Sequence, residues 1–209
     1  MVPGCTTHGL GQRQEAISQM NPGETAMESQ QPALTMRAKV DGHEIKVGYE
    51  LTNQLNFPIY VFDRLYDMSA EKLAPNWAYV DLSSNRIVVC RQVWAVPAGL
   101  HHENPEVPYA RVVAPGAKIK GLFPIHLPVA ESDPYAHIRN RDGVPRVAHA
   151  GDDIVFRLGW APVREVHGGS QVELEGEQLV LFPYPEAIQK QRLATSLPAK
   201  LPLPAAAAQ

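Results

Sequence analysis

Leu34-Thr35-Met36-Arg37-Ala38-Lys39-Val40-Asp41-Gly42-His43-Glu44-Ile45-Lys46-Val47-Gly48-Tyr49-Glu50-Leu51 alternates apolar and polar residues on both sides of Asp41-Gly42. Period-two alternation places successive side chains on opposite faces of a strand, and Asp-Gly suits a type I′ turn, whose two central residues both need positive φ. The stretch therefore reads as a β-hairpin. A two-residue turn at Asp41 and Gly42 sets Val40 opposite His43, Lys39 opposite Glu44, Ala38 opposite Ile45, Met36 opposite Val47 and Leu34 opposite Tyr49. Apolar then meets apolar on the core face. The other face, with Arg37, Lys39, Glu44, Lys46 and Glu50, mixes both signs of charge and reads as scaffold.

Working outward, the chain reads as strand after strand. Residues 57–62 are apolar at nearly every position, as in a strand covered on both faces, and Pro58 lies near the start, where a missing amide is tolerable. A second hairpin spans residues 77–82 and 86–94 around Ser83, Ser84 and Asn85; a turn at Ser84 and Asn85 puts Leu82 opposite Ile87 and Val80 opposite Val89. Residues 109–113 form a short strand. Pro115-Gly116 suits a type II turn, and residues 119–125 continue as a strand. Ile154, Phe156, Leu158 and Trp160 alternate into a late strand, and residues 172–174 and 179–182 form a last hairpin. Pro185 can open a short helix over residues 186–194, where Ile188 and Leu193 make only a thin apolar stripe.

About nine short strands, turn signals at intervals and almost no helix predict an all-β fold, an antiparallel β-sandwich with long loops. The domain is expected over residues 34–183. A leader without apolar periodicity precedes it (1–33), and a short helix with a Pro/Ala tail follows (184–209). Thr52 and Asn53 closing a strand, Phe57-Pro58-Ile59 opening the next, and Pro115-Gly116 before another carry a resemblance to bacterial immunoglobulin-like modules over roughly this domain. The resemblance implies an immunoglobulin-like sandwich. The inter-sheet disulfide of antibody domains has no counterpart, since the two cysteines are Cys5 and Cys90.

A net charge of −3 leaves no basic surplus, so nucleic acid is not an expected partner. No run reaches the ~20 apolar residues of a membrane helix. Val2-Pro3-Gly4-Cys5 partly resembles the end of a bacterial lipoprotein signal, so a lipid anchor through Cys5 follows only if translation starts upstream of Met1. On that resemblance the cell envelope or periplasm is favoured over the cytoplasm.

The long connection 126–153 is the expected functional surface, because long loops are uncommon without a role. It holds His126, His137 and His149 with Arg139, Arg141 and Arg146. A turn at Asp142-Gly143 would bring Ile138 near Val147 and Arg139 near Arg146, and paired arginines favour an anionic partner. Glu131, Asp133, Asp142, Asp152 and Asp153 can neutralise them. His101, His102 and Glu103 adjoin, but neighbours in extended chain face opposite ways, and a metal site would need a set such as His102, His126 and His149. Exposed loop histidines are the default reading, and no motif implies a cofactor. Cys90, inside an apolar run, is expected to be buried and inert, and Ser170 follows a turn rather than a nucleophile elbow. Tyr60, Phe62, Tyr66, Trp77, Tyr79 and Trp94 cluster in the first half, and those left exposed could bind a sugar or a protein.

The expected function is a non-enzymatic module that binds a protein or helps assemble a cell-envelope complex through the loops 97–108 and 126–153. A proteinase inhibitor presenting the proline-rich loop 97–108 is the alternative. A carbohydrate-active or metal-dependent enzyme is the third.

Overall fold

The structure is a computed structural model that describes residues 30–82, 84, 86–139, 144, 146–148 and 152–201, of which 137 and 139 by their backbone alone. The opening hairpin is present as β1 (Ala33–Asp41) and β2 (Glu44–Thr52). Its register differs from the sequence count: Asp41 pairs with Glu44, Ala38 with Val47, Met36 with Tyr49 and Leu34 with Leu51. The two turn residues are thus Gly42 and His43. Gly42 has φ +63° and His43 is not in the positive-φ region, which is the type II′ pattern rather than type I′. The physical gain is a further apolar pair, Leu34 with Leu51, at no cost in facing, because a shift of two leaves every side chain on its own face. Lys39 now opposes Lys46 instead of Glu44, and Lys46 turns to Asp41 at 2.5 Å.

β2 also pairs along its whole length with β9 (Lys118–His126), so β1, β2 and β9 form a three-stranded antiparallel sheet. The second sheet is larger. It gathers β3 (Ile59–Arg64), β6 (Tyr79–Asp81), β7 (Arg86–Arg91), β8 (Tyr109–Val113), β10 (Asp153–Pro162), β11 (Ser170–Leu174) and β12 (Glu177–Leu181). A small hairpin, β4 (Tyr66–Asp67) with β5 (Lys72–Leu73), stands beside it. Val80 pairs with Val89 and Pro115-Gly116 turns with Gly116 at φ +74°, both as the sequence implies. At β11–β12 the turn residues Glu175 and Gly176 both take positive φ, so the type I′ turn expected at Asp41-Gly42 occurs here.

β10 is the hub of the large sheet. On one edge it runs parallel to β7 through Leu158 and antiparallel to β3 from Gly159 onward. The parallel pair departs from the all-antiparallel expectation, because the connection from β7 to β10 is long enough to bring the chain back in the same direction. On the other edge β10 holds β13 (Arg192–Thr195) and β14 (Ala199–Lys200). The sheet therefore continues past residue 183, where the sequence reading ends the domain. Helix α2 (Tyr184–Lys190) is short, and the chain leaves it extended at Gln191, whose side-chain amide both accepts from Val93 N–H (2.7 Å) and donates to Val93 C=O (3.0 Å). That amide acts as one extra rung of sheet.

The two sheets face each other across the main core. Ile45, Val47, Tyr49, Leu51, Phe123 and Ile125 from the small sheet meet Ile59, Val61, Val80, Ile87, Val89 and the alternating Ile154, Phe156, Leu158 and Trp160 of the large one. The fold is a two-layer, sandwich-like all-β architecture. The outer face of the large sheet is covered in turn: Phe62, Ala110, Ala161 and Phe182 pack with Ala187 of α2, and Leu65, Tyr79 and Cys90 pack with Ala74 and Trp94.

Candidate functional site

The site is built on polar groups placed where the alternation calls for apolar ones. Along β7, Ile87 and Val89 face the core, and the next inward position is Arg91, only 1% exposed. Its guanidinium lies over the Phe123 ring at 4.7 Å and donates to three backbone carbonyls: Trp77 (2.9 Å), Pro75 (2.5 Å) and Asp63 (3.2 Å). A planar fork with fixed donors suits such a task, and the aromatic face replaces part of the lost hydration. Burial pulls the Arg91 pKa down, and the fields of Tyr49 and Asp63 oppose that pull.

Asp63 occupies the matching position on β3, where the pairing with β8 shifts register between Val61 and Arg64. Its carboxylate is fully buried, and Oδ2 accepts from Tyr49 Oη (2.8 Å), Arg111 (2.5 Å) and Arg64 (3.2 Å). The Asp63 carboxylate thus takes side-chain donors from both sheets. Arg64 also holds Glu177 through two bonds, at 2.7 and 3.2 Å. Burial first, and then the charge of Asp63, push the Tyr49 phenol far above its ordinary value, so it stays a donor. Gly121 makes room for it: a Cβ there would collide with the Tyr49 ring.

This network fixes the segment 74–78, and that segment forms one wall of a groove of about 730 Å³. Pro75, Trp77, Ala78, Pro124 and Pro128 give the lining its apolar part, and Asp67, Lys72 and Glu175 are its charged residues, with His126 beside them. Trp77 is 39% exposed, although it stacks on buried Tyr79 with ring centres 5.4 Å apart. Of the aromatic cluster noted in the sequence, Phe62 and Tyr79 are buried and Trp77 is left open to a ligand. The opposite wall comes from the loop after β9, which passes through a cis Leu127-Pro128 bond. Ser132 ties this wall to β6: its N–H donates to Val80 C=O (2.9 Å) and its Oγ accepts from Val80 N–H (3.2 Å).

A second hollow, about 540 Å³, opens beneath the loop 97–108 and is lined by His101, His102, Glu103 and Tyr184. The two loops that the sequence singles out meet here, His102 lying edge-on to Tyr135 at 6.0 Å. Behind them Glu106 and Tyr79 sit within each other's field, yet neither Glu106 Oε1 nor Tyr79 Oη has a well-formed hydrogen bond. Burial raises the pKa of both groups.

Of the residues expected to form the functional surface, His126 and Arg146 have described side chains, and they line different hollows. His126 ends β9, mostly exposed, 3.4 Å from Glu44, and lines the Trp77 groove. Arg146 is exposed in a separate hollow beside Arg86. His137 and Arg139 have their backbones in the short helix α1 (Ala136–Arg139), while Arg141 and His149, with the turn at Asp142-Gly143, lie outside the described residues. Ile138 does not pair with Val147, which bridges to Ala130 instead. The cause is local: Asp133 accepts from the Tyr135 N–H at 2.9 Å and starts a helical turn before the chain could run back as a strand. Cys90 is fully buried, with its thiol pKa pushed up by that burial, as the sequence implies. Among the described residues no three His, Cys, Asp or Glu side chains converge as metal ligands.

Arg91 is the residue that sequence reasoning passed over. A single inward Arg at the end of an apolar strand is the available signal for it. Compared with known protein families, curated proteins and solved structures, the chain has no significant match in any of the three.

Proposed function

We propose that this chain is a non-enzymatic module that binds a protein partner in the groove beside Trp77. The observation that carries the reading is the half-open Trp77, set in an apolar groove whose wall is pinned from inside by Arg91. Tryptophan offers a large contact area at little conformational cost and is enriched among the residues that dominate binding energy. A concave, largely apolar pocket of this size is the usual form of a binding site. Helping assemble a cell-envelope complex is the setting we attach to it, from the resemblance around Cys5.

The test uses the full chain and a phage-displayed random peptide library. Sequences should be enriched whose binding disappears in Trp77→Ala, provided that the variant keeps the wild-type unfolding midpoint. Equal enrichment by both proteins would overturn the reading. Retention of soluble oligosaccharides, lost in the same variant, would move it to the carbohydrate class.

The exposed run 98–104 supports a second reading as a proteinase inhibitor, since both ends are held: Tyr184 Oη accepts from Val96 N–H at 2.8 Å, and Pro108 is buried. Near-stoichiometric inhibition of any member of a protease panel would support it. Cleavage within the run without inhibition would end it.

A further inference from the structure

We infer that two copies of this chain associate through the free edge of β11, which pairs antiparallel with its own copy about a two-fold axis at Val172 and joins the two large sheets into one. This association goes beyond the groove reading and makes no use of Trp77.

β11 (Ser170–Leu174) ends the large sheet and pairs with β12 alone. Glu175 and Gly176 form the two-residue turn between them, so Leu174 and Glu177, which flank it, exchange both backbone hydrogen bonds. Along an antiparallel ladder such pairs alternate with pairs that do not bond each other. Ser170, Val172 and Leu174 therefore turn their N–H and C=O groups toward β12, and Gln171 and Glu173 turn theirs outward. No described residue takes up these outward groups.

The other ends of the two main sheets are guarded. Arg37 and Lys39 stand on β1, Lys118 and Lys120 on β9, and Val80 of β6 is held by Ser132. Charge on an edge strand, lysine above all, keeps it from pairing with another chain. β11 has no Lys, Arg or Pro, and its one acid, Glu173, already accepts from Gln178 Nε2 at 2.9 Å.

The register follows from the same five residues. Outward groups must meet outward groups with the faces matched, which allows centres at Gln171, Val172 or Glu173. A centre at Glu173 opposes two carboxylates, and a centre at Gln171 leaves Glu173 and Leu174 without a partner in the strand. The centre at Val172 pairs the whole of β11. Gln171 of each copy then faces Glu173 of the other, and each of these pairs exchanges two backbone bonds. The Gln171 amide is exposed and makes no hydrogen bond among the described residues, so it is available to the facing carboxylate. Half-buried Val172 meets its own copy on the opposite face. One short strand falls below the ~1,200–2,000 Å² of a stable interface, so the pair forms at high concentration and parts on dilution.

Sedimentation equilibrium of the full chain should show the mass rising from one copy toward two between about 10 μM and about 1 mM. Glu173→Pro removes an outward N–H and spares the bonds to β12, so it should keep the wild-type unfolding midpoint and stay a single copy throughout. Gln171→Glu sets carboxylate against carboxylate in both symmetry-related pairs and should weaken association on the order of tenfold; Gln171→Lys should tighten it. In a Cys5→Ser background, Val172→Cys should cross-link two chains on oxidation by copper phenanthroline, because opposite residues of a non-hydrogen-bonded pair lie within disulfide reach. Leu174→Cys, which faces Ser170, should not. A chain that remains a single copy at 1 mM, or one that associates equally well as Glu173→Pro, overturns the edge pairing. Cross-linking by Leu174→Cys in place of Val172→Cys overturns the register.

Discussion

Tyr49 on the small sheet donates its phenolic hydrogen to Asp63 on the large sheet at 2.8 Å, so a single hydrogen bond spans the two layers inside the core. Tyr49→Phe keeps the ring and removes the donor. The loss of a bond to a charged acceptor is expected to cost about 1.5–3 kcal/mol in urea unfolding. Asp63→Asn should cost more, about 3–5 kcal/mol, because Arg64 and Arg111 then lose their buried counter-charge. A smaller effect for Asp63→Asn than for Tyr49→Phe would show that the carboxylate is not the centre of the network.

Gly121→Ala should destabilise by about 1–3 kcal/mol, since the new methyl overlaps the Tyr49 ring in a filled core. Combining it with Tyr49→Leu should cost less than the sum of the two single changes, as measured in a double-mutant cycle. Additive costs would remove the collision as the cause.

Arg91→Met leaves the carbonyls of Trp77, Pro75 and Asp63 without their donor. The Asp63 carbonyl is buried, and an unpaired buried acceptor costs about 1–3 kcal/mol, so the variant should be destabilised by at least that much in urea unfolding. Hydrogen exchange at the Trp77 amide, which donates to Ala74 C=O at 3.1 Å, should rise well before global unfolding, because Arg91 holds the groove wall. Arg91→Lys keeps the charge but cannot serve three carbonyls with one fork, and it should show the same local loosening to a lesser degree.

Glu106 carries a pKa raised by burial, with its contact to Tyr79 acting weakly the other way. The folded protein holds this proton to higher pH than the unfolded chain does, so the group's contribution is full below the unfolded value, about 4.3. It is lost as pH rises through the folded value. Glu106→Gln removes the titration. The stability of the variant minus that of the wild type should therefore grow from acidic toward neutral pH, read from urea unfolding at several pH values. A difference that does not change with pH would contradict the burial of this carboxyl.

At the alkaline end, Tyr49 and Tyr79 both have pKa values raised mainly by burial. The unfolded chain releases these protons near pH 10 and the folded one holds them longer. Stability should fall above about pH 10, and the fall should be shallower in Tyr49→Phe than in the wild type.

Side-chain parity made most strands legible, and it survives even where a register is misjudged. The opening hairpin slips by one turn residue, yet every residue keeps its face. Val80 opposite Val89 and the alternation of Ile154, Phe156, Leu158 and Trp160 followed from the same rule. What stayed hidden depends on partners far away in sequence. Arg192–Thr195 carries too little pattern to declare itself a strand and becomes one because the free edge of β10 is there to receive it. Trp77 was visible as one of six aromatic residues, but only the packing of Phe62 and Tyr79 shows that it is the open one of the three.

The position of β10 bears on how the chain reaches this state. The β1–β2 hairpin and the β6–β7 hairpin close over short loops, whereas Ile154 must find Ile87 and Gly159 must find Phe62 across large stretches of chain. Loop-closure entropy makes such pairings slow, so β10 is expected to dock after the local hairpins have formed. Until it docks, β3 and β7 present bare edges, and a second nascent chain could pair with them. The strand that organises the finished sheet is thus also the point at which its assembly is most exposed to aggregation.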